Sequence, residues 1–259
     1  MKIGIMDSGI GGLTVLHQAM ISLPEEEYLY YADTDHVPYG SKSREEIIQY
    51  VDEAVHFLVE KGVKAIVIAC NTATSTAIDV MRKRYHLPIL GMEPAVKPAV
   101  EKYENKRVMV IATPVTIREE KLHNLIQLVD GDHRVDLLPL SKLASYAEAG
   151  EFDTNEVEEY IRKEFAQYYL ENYSALILGC THYNYYKNIF RKIFPAEVEF
   201  IDGSLGTINN LKNILKSMGQ LEHNKISVEY YTSGRLISDK ESLMHYEELH
   251  KRLEKMLYY

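Results

Sequence analysis

Ala65-Ile66-Val67-Ile68-Ala69-Cys70-Asn71-Thr72 is a short run of small and β-branched apolar residues that stops at a thiol followed by two hydrogen-bonding side chains. Such a run, closed by capping residue types, reads as a buried strand giving way to a helix. Ala175-Leu176-Ile177-Leu178-Gly179-Cys180-Thr181-His182 is built the same way, and Cys70 and Cys180 are the only two cysteines of the chain. Both sulfurs are therefore expected at the carboxyl edge of a parallel sheet, where open α/β sheets bind ligands.

Outward from these runs, apolar segments alternate with helical patterns: Lys2 to Met6, Leu29 to Ala32, Arg107 to Ile111, Val135 to Leu138 and Glu199 to Ile201. That alternation is the pattern of βαβ units joined by right-handed crossovers. Ser43 with Glu46 offers a capping box, Ile47, Ile48, Val51, Val55 and Leu58 share one helical face, and Gly62 stops the helix. Thr154 is expected to cap another helix, with Val157, Ile161, Phe165 and Tyr168 facing the core.

The chain also repeats itself weakly. Ile3 to Met6 leads into Asp7-Ser8-Gly9, Val108 to Ile111 leads into Ala112-Thr113-Pro114, and a cysteine strand follows each after a similar interval. The expected fold is α/β: two pseudo-symmetric α/β lobes with mainly parallel sheets and the active site in the cleft between them. Met92-Glu93-Pro94-Ala95-Val96-Lys97-Pro98 is read as the junction. After Gly206 come a polar helix, a strand from Ile226 to Tyr231 and a charged helix from Ser242 to the end, read as a return to the first lobe. That lobe would hold residues 1–93 and 207–259, the second lobe 94–206, and each lobe would bring one cysteine to the cleft.

A chain of 259 residues with 46% hydrophobic content has enough apolar side chain for a core of one large or two small domains. No apolar run approaches the ~20 residues of a membrane span, and the start meets Asp7 too early for a signal peptide. A cytoplasmic protein is expected. With 38 acidic against 29 basic residues and a formal charge of -9, nucleic-acid and anionic-membrane binding are disfavoured. Two distant cysteines without CxxC spacing fit neither a zinc site nor a cytosolic disulfide, so both are read as free thiols. Tyrosine is abundant and tryptophan absent, and neither bears on this reading.

A lone cysteine at the end of a buried strand is usually a small core hydrophobe; two in matching contexts argue for chemistry. At a strand-to-helix junction a thiol faces the positive end of a helix, which lowers its pKa from about 8.5. Asn71, Thr72, Thr181 and His182 serve equally as helix caps or as donors to an anionic ligand. Asp7-Ser8-Gly9-Ile10-Gly11-Gly12 opens a helix after a strand but lacks the last glycine of a dinucleotide loop and any Lys-Ser/Thr. Asp7 itself, at a strand end beside the expected cleft, suits a substrate ammonium or control of a nearby proton. Asp33, Asp35 and His36 invite a metal reading, which their spacing does not support, and Pro38 with Gly40 marks a turn whose backbone reaches a ligand. Thr113 and Thr116 are caps by default and carboxylate donors by hypothesis. His182, close after Cys180, suits an acid/base role.

Taken in order, Asp7-Ser8-Gly9-Ile10-Gly11-Gly12, Tyr31-Ala32-Asp33 with Val37-Pro38-Tyr39-Gly40, Ala69-Cys70-Asn71-Thr72-Ala73, Glu148-Ala149-Gly150 and Gly179-Cys180-Thr181-His182-Tyr183 resemble the cofactor-independent glutamate racemases of bacterial cell-wall synthesis. The match runs to about Gly206. The resemblance implies that Cys70 and Cys180 are the paired acid and base and that Asp7 and His182 assist them. It implies substrate contacts at Asp7, Ser8, Tyr39, Gly40, Asn71, Thr72, Thr113, Thr116, Glu148, Thr181 and His182, with no cofactor, no metal and a homodimer. Asn184-Tyr185 stands where the family usually has Pro-Leu, Ala112 replaces a common glycine, and Asp202-Gly203-Ser204 alters a usual Asp-Ser pair. These changes bear on dimer geometry and regulation more than on the thiols. Some relatives are activated by a cell-wall precursor and carry an extra N-terminal stretch; the first strand here begins at once, so such activation is not expected.

Racemisation removes the Cα proton on one face and returns a proton on the other, so two bases must flank the carbon, and two thiols across a cleft meet that need. Three other readings stay open: a related racemase acting on aspartate or another acidic compound, a catalytically silent amino-acid-binding regulator, and a Cys/His acyl-transfer enzyme using Cys180 and His182.

Overall fold

The computed structural model describes residues 1–103 and 106–259. Its strands are β1 (Ile3–Asp7), β2 (Glu27–Ala32), β3 (Ala65–Ile68), β4 (Ile89–Gly91), β5 (Arg107–Ala112), β6 (Val135–Pro139), β7 (Tyr173–Gly179), β8 (Glu199–Ile201), β9 (Ser227–Thr232) and β10 (Arg235–Leu236). They form a six-stranded sheet of order β10-β9-β2-β1-β3-β4 and a four-stranded sheet of order β6-β5-β7-β8. Every pairing is parallel except the short β9–β10 hairpin.

Without β9 and β10, the first sheet reads β2-β1-β3-β4 and the second β6-β5-β7-β8, so the two units share one strand order. The register repeats as well. Met6 lies opposite Ile68 and Ile111 opposite Leu178, and Cys70 and Cys180 follow those strand residues at the same offset. Ser8 and Thr113, one step beyond the ends of β1 and β5, are then counterparts.

Alternation along the strands decides where each face packs. Ile3 and Ile5 of β1, with Met109 and Ile111 of β5 and Leu176 and Leu178 of β7, enter one core that both sheets share. Met6, Ile66 and Ile68 turn to a second core under the crossover helix Arg44–Glu60, and Val108, Val110, Ala175 and Ile177 turn to a third. A single apolar core between the sheets fixes the two carboxyl edges relative to each other.

The local readings of helix ends are seen in the hydrogen bonds. Ser43 and Glu46 make both bonds of the capping box, Glu46 N donating to Ser43 Oγ at 3.3 Å and Ser43 N to Glu46 Oε2 at 2.8 Å. Ile47, Val51, Val55 and Leu58 are buried, and Gly62 follows the helix with φ +72°. Thr154 caps Asn155–Phe165, with Val157, Ile161 and Phe165 buried; Tyr168 lies beyond that helix. The C-terminal return is present as β9 beside β2, although its helix Lys240–Met256 is capped by Asp239, whose Oδ1 accepts from Ser242 N at 2.8 Å. The expected division after Gly206 falls inside the helix Ser204–Ser217, which packs on the helix Leu13–Ser22 of the six-stranded unit. β4 and β10, three and two residues long, are too short to show an apolar run in the sequence.

Candidate active site

Cys70 leaves β3 as the N-cap of the helix Asn71–Arg84, and its sulfur accepts from Ala73 N at 3.4 Å. Ser8 Oγ lies 3.7 Å from the same sulfur and 3.4 Å from Asp7 Oδ1. Asp7, at the end of β1, is fully buried, and its carboxylate also accepts from Gly9 N at 3.1 Å and Thr181 Oγ1 at 3.1 Å. Burial raises the Asp7 pKa to about 6, against the pull of His182 and the Gly9 amide. The same forces correct the expectation of an acidified thiol at Cys70. Burial first, and the nearby Asp7 second, push its pKa up; the Ala73 amide works in the expected direction but is outweighed.

Cys180 sits differently. It precedes a 3-10 turn, Thr181–Tyr186, with no side-chain cap hydrogen bond, so the expected α-helix N-terminus is not present behind this sulfur. Its partner is an imidazole: Cys180 Sγ and His182 Nδ1 are 3.7 Å apart. His182 Nε2 meets Glu148 Oε1 at 2.5 Å, and that oxygen also accepts from Ile10 N at 2.8 Å. Burial disfavours a charged His182, yet hydrogen bonds to Cys180 and Glu148 and their negative charge outweigh it and hold the imidazole pKa well above its ordinary value.

Contacts between the sheets cross at this edge. Thr72, after Cys70, meets Thr113 of the other sheet, Oγ1 to Oγ1 at 2.8 Å, and both lie 3.1 Å from Thr116 Oγ1. Thr181, after Cys180, reaches back to Asp7. Thr113 also caps the short helix Pro114–Arg118, so Thr116 lies within a helix rather than a loop. Between the crossings is a small cavity of about 10 Å³ lined by Ser8, Pro38, Tyr39, Gly40, Cys70, Asn71, Thr72, Thr113, Ala144, Cys180 and His182. Asn71 Oδ1 is buried there with no hydrogen-bond partner. The Tyr39 hydroxyl donates to Asp33 Oδ2 at 2.6 Å, and Asp33 also holds His36 and Ser233.

Nine of the thirteen residues singled out in the sequence thus line one cavity. Asp7, Thr116, Thr181 and Glu148 stand behind its wall, Glu148 on the far side of His182. Pro38, read in the sequence as part of a ligand-touching turn, and Ala144, whose methyl gives a sequence reading nothing to select, complete the lining. The glycines between Asp7 and Gly12 have a packing reason: a Cβ on Gly9 would strike the Glu148 carboxylate, and one on Gly11 would strike His182 and Thr181. The abundant tyrosines also bear on the site. Tyr30 OH donates to Gly9 O at 2.5 Å and Tyr185 OH to Ile10 O at 3.0 Å. Asn184 of the atypical Asn184-Tyr185 pair donates through Nδ2 to Thr181 O at 3.3 Å.

The sequence model of a family described as Asp/Glu/Hydantoin racemase matches residues 13–209. A glutamate racemase of Lachnospira eligens is 53% identical, the alignment covering 99% of each chain. A glutamate racemase of Campylobacter curvus is 50% identical, again over 99% of each chain. Among solved structures, the glutamate racemase of Francisella tularensis in complex with D-glutamate superposes with a TM-score of 0.81 at 31% identity, covering 96% of this chain and 93% of that one.

Proposed function

The chain belongs to the Asp/Glu/Hydantoin racemase family, and from that premise we propose that it is a glutamate racemase in which Cys70 and Cys180 are the two proton-transferring groups. The observation that carries this reading is the placement of the thiols: they leave equivalent strands of two like-ordered sheets and line the same cavity. Each lobe contributes one thiol, and in this reading the two flank one carbon.

In this reading one thiolate takes the Cα proton, forming S–H as the C–H bond breaks. The other thiol returns a proton to the opposite face and becomes the thiolate, so atoms and charge balance over the isomerisation. Cys180 is taken as the starting base, its sulfur 3.7 Å from His182 Nδ1. Cys70 starts as the acid, held neutral by burial and by Asp7. For the other enantiomer the roles exchange, and Asp7, titrating near neutrality, takes the Cys70 proton through Ser8. His182 with Glu148 does the corresponding work at Cys180.

The α-proton is far less acidic than a thiol, so charge building on the α-carboxylate must be stabilised as the proton leaves. Ser8, Thr72, Thr113 and the Asn71 amide face the cavity for that purpose, with Thr116 and Thr181 orienting them; each aligned donor of this kind is worth roughly 3 kcal/mol. The unpartnered Asn71 Oδ1 suits the substrate ammonium, and the turn at Tyr39 and Gly40 suits the distal carboxylate. The two thiols supply both proton transfers, so the reading needs no cofactor.

No helix among the described residues is long and apolar enough to cross a membrane. A cytoplasmic homodimer supplying D-glutamate for peptidoglycan synthesis, with the six-stranded unit and the helix Ser204–Ser217 that packs on it as one lobe and the four-stranded unit as the other, completes the reading, supported by the family resemblance. The deciding experiment is L-glutamate in deuterated water, followed by circular dichroism and mass spectrometry. Loss of optical activity with one deuterium at Cα of the D product is expected; glutamate binding with no change in rotation overturns the reading. L-Aspartate, one methylene shorter, is expected to turn over roughly 10- to 200-fold less efficiently.

A further inference from the structure

The peptide group joining Gly9 to Ile10 faces the Cys180 half of the site with one end and the aromatic interior with the other. Its N–H, on Ile10, donates to Glu148 Oε1 at 2.8 Å, the oxygen that also holds His182 Nε2. Its carbonyl, on Gly9, accepts from Tyr30 OH at 2.5 Å. The next carbonyl, on Ile10, accepts from Tyr185 OH at 3.0 Å. Because a peptide group is planar, a donor at its carbonyl end sets the direction of its N–H, and donors on two successive groups leave little freedom to rotate.

Tyr30 belongs to β2 of the six-stranded sheet, whereas Tyr185 belongs to the turn that carries His182. Both are fully buried, and glycine on either side of Ile10 lets the backbone come close to Glu148 and His182. Tyr185 is itself anchored: the Arg252 guanidinium of the C-terminal helix donates to its carbonyl at 2.9 Å and 3.2 Å while paired with Asp153 at 2.6 Å.

We infer that Tyr30 and Tyr185 form a clamp of positioning residues for the Cys180 half-site, aiming the Ile10 amide at Glu148 so that Glu148 holds His182 against the sulfur. Neither tyrosine touches the cavity; both act through backbone. The inference rests on the two-cysteine reading for its effect on turnover, but its effect on Cys180 is separable. His182 is the group against the Cys180 sulfur, and iodoacetamide alkylation responds to such a neighbour, so the rate at Cys180 reports how His182 is held.

The test compares Tyr30→Phe, Tyr185→Phe and Tyr28→Phe in the full chain. Tyr28 is the control, a buried tyrosine whose hydroxyl donates to two carbonyls, Ala19 O at 2.9 Å and Leu23 O at 2.7 Å, away from the site. Alkylation at each cysteine is timed with iodoacetamide and mapped by mass spectrometry, alongside Tm and kcat for glutamate. Tyr30→Phe and Tyr185→Phe are each expected to slow Cys180 relative to Cys70, and to lower kcat, by about tenfold, the worth of one lost hydrogen bond. Tyr28→Phe should lower Tm and leave that ratio at its wild-type value. In a Glu148→Gln background the tyrosine substitutions should have no further effect on the ratio. A normal Cys180-to-Cys70 ratio in Tyr30→Phe and Tyr185→Phe, or the same change in Tyr28→Phe, overturns the clamp. An inactive wild type whose ratio still responds to the clamp variants would instead overturn the racemase reading and leave the clamp standing.

Discussion

The Cys70 and Cys180 regions occupy the same position in the same strand order, and they hold their sulfurs by different means. Cys70 accepts from a helix amide and a serine hydroxyl, with a carboxyl group of raised pKa behind the serine. Cys180 has no helix behind it and meets an imidazole backed by a carboxylate. Repetition of the fold placed two thiols at one cavity; the neighbours of each differ, and the proposed mechanism makes Cys70 the starting acid and Cys180 the starting base. A two-base racemisation needs one thiol and one thiolate at once, and in the proposed mechanism the asymmetry supplies them.

The largest effect expected of this pair is loss of turnover when either sulfur is removed. Cys70→Ala and Cys180→Ala should each lower racemisation in both directions by roughly 10³-fold or more, as loss of one acid/base group implies, with far-ultraviolet circular dichroism unchanged. Near-normal turnover in one of them would show that only one half is needed. The asymmetry is tested next by His182→Asn, which should lower kcat by about 10²-fold and slow alkylation at Cys180 while Cys70 keeps its rate. Faster alkylation of Cys70 than of Cys180 in the wild type would reverse the assignment of acid and base.

The smallest effect concerns stability. Asp7 has its folded pKa raised from 3.8 to about 6. The stability it confers is therefore full below about pH 4 and lost as pH rises through 6. Asp7→Asn removes the buried charge and keeps one oxygen to accept from Gly9 N, while its Nδ2 faces Thr181 Oγ1, a hydroxyl that can accept in turn. It should be more stable than wild type at pH 7, by on the order of 1–3 kcal/mol, with the gap closing below pH 4. A gap in Tm that does not change with pH would mean that Asp7 is not the group titrating near neutrality.

Much of this arrangement was legible in the sequence because it depends on local rules. Strand runs, the Ser43 capping box and the Thr154 cap follow from residue type and spacing, and both cysteines are marked by what precedes and follows them. The weak repeat announced two like lobes, and the shared strand order is its structural form. The protonation of the site was not legible. The acidification expected at Cys70 came from a rule about helix ends that is correct for the Ala73 amide, but burial and Asp7, distant in sequence, outweigh it. A phenol in a sequence shows no partner, whereas in the fold Tyr30 and Tyr185 find theirs on Gly9 and Ile10.

Hydrophobic period, capping residues and two matched Cys motifs determined the α/β frame, the edge at which chemistry occurs and the residue types available for it. Only the tertiary structure decided which thiol has a cationic neighbour, which carboxylate is buried enough to titrate near neutrality, and that Glu148 stands behind His182 rather than on the cavity wall. Those properties depend on distances and on exclusion of water between residues from different sheets, and local order along one chain specifies neither.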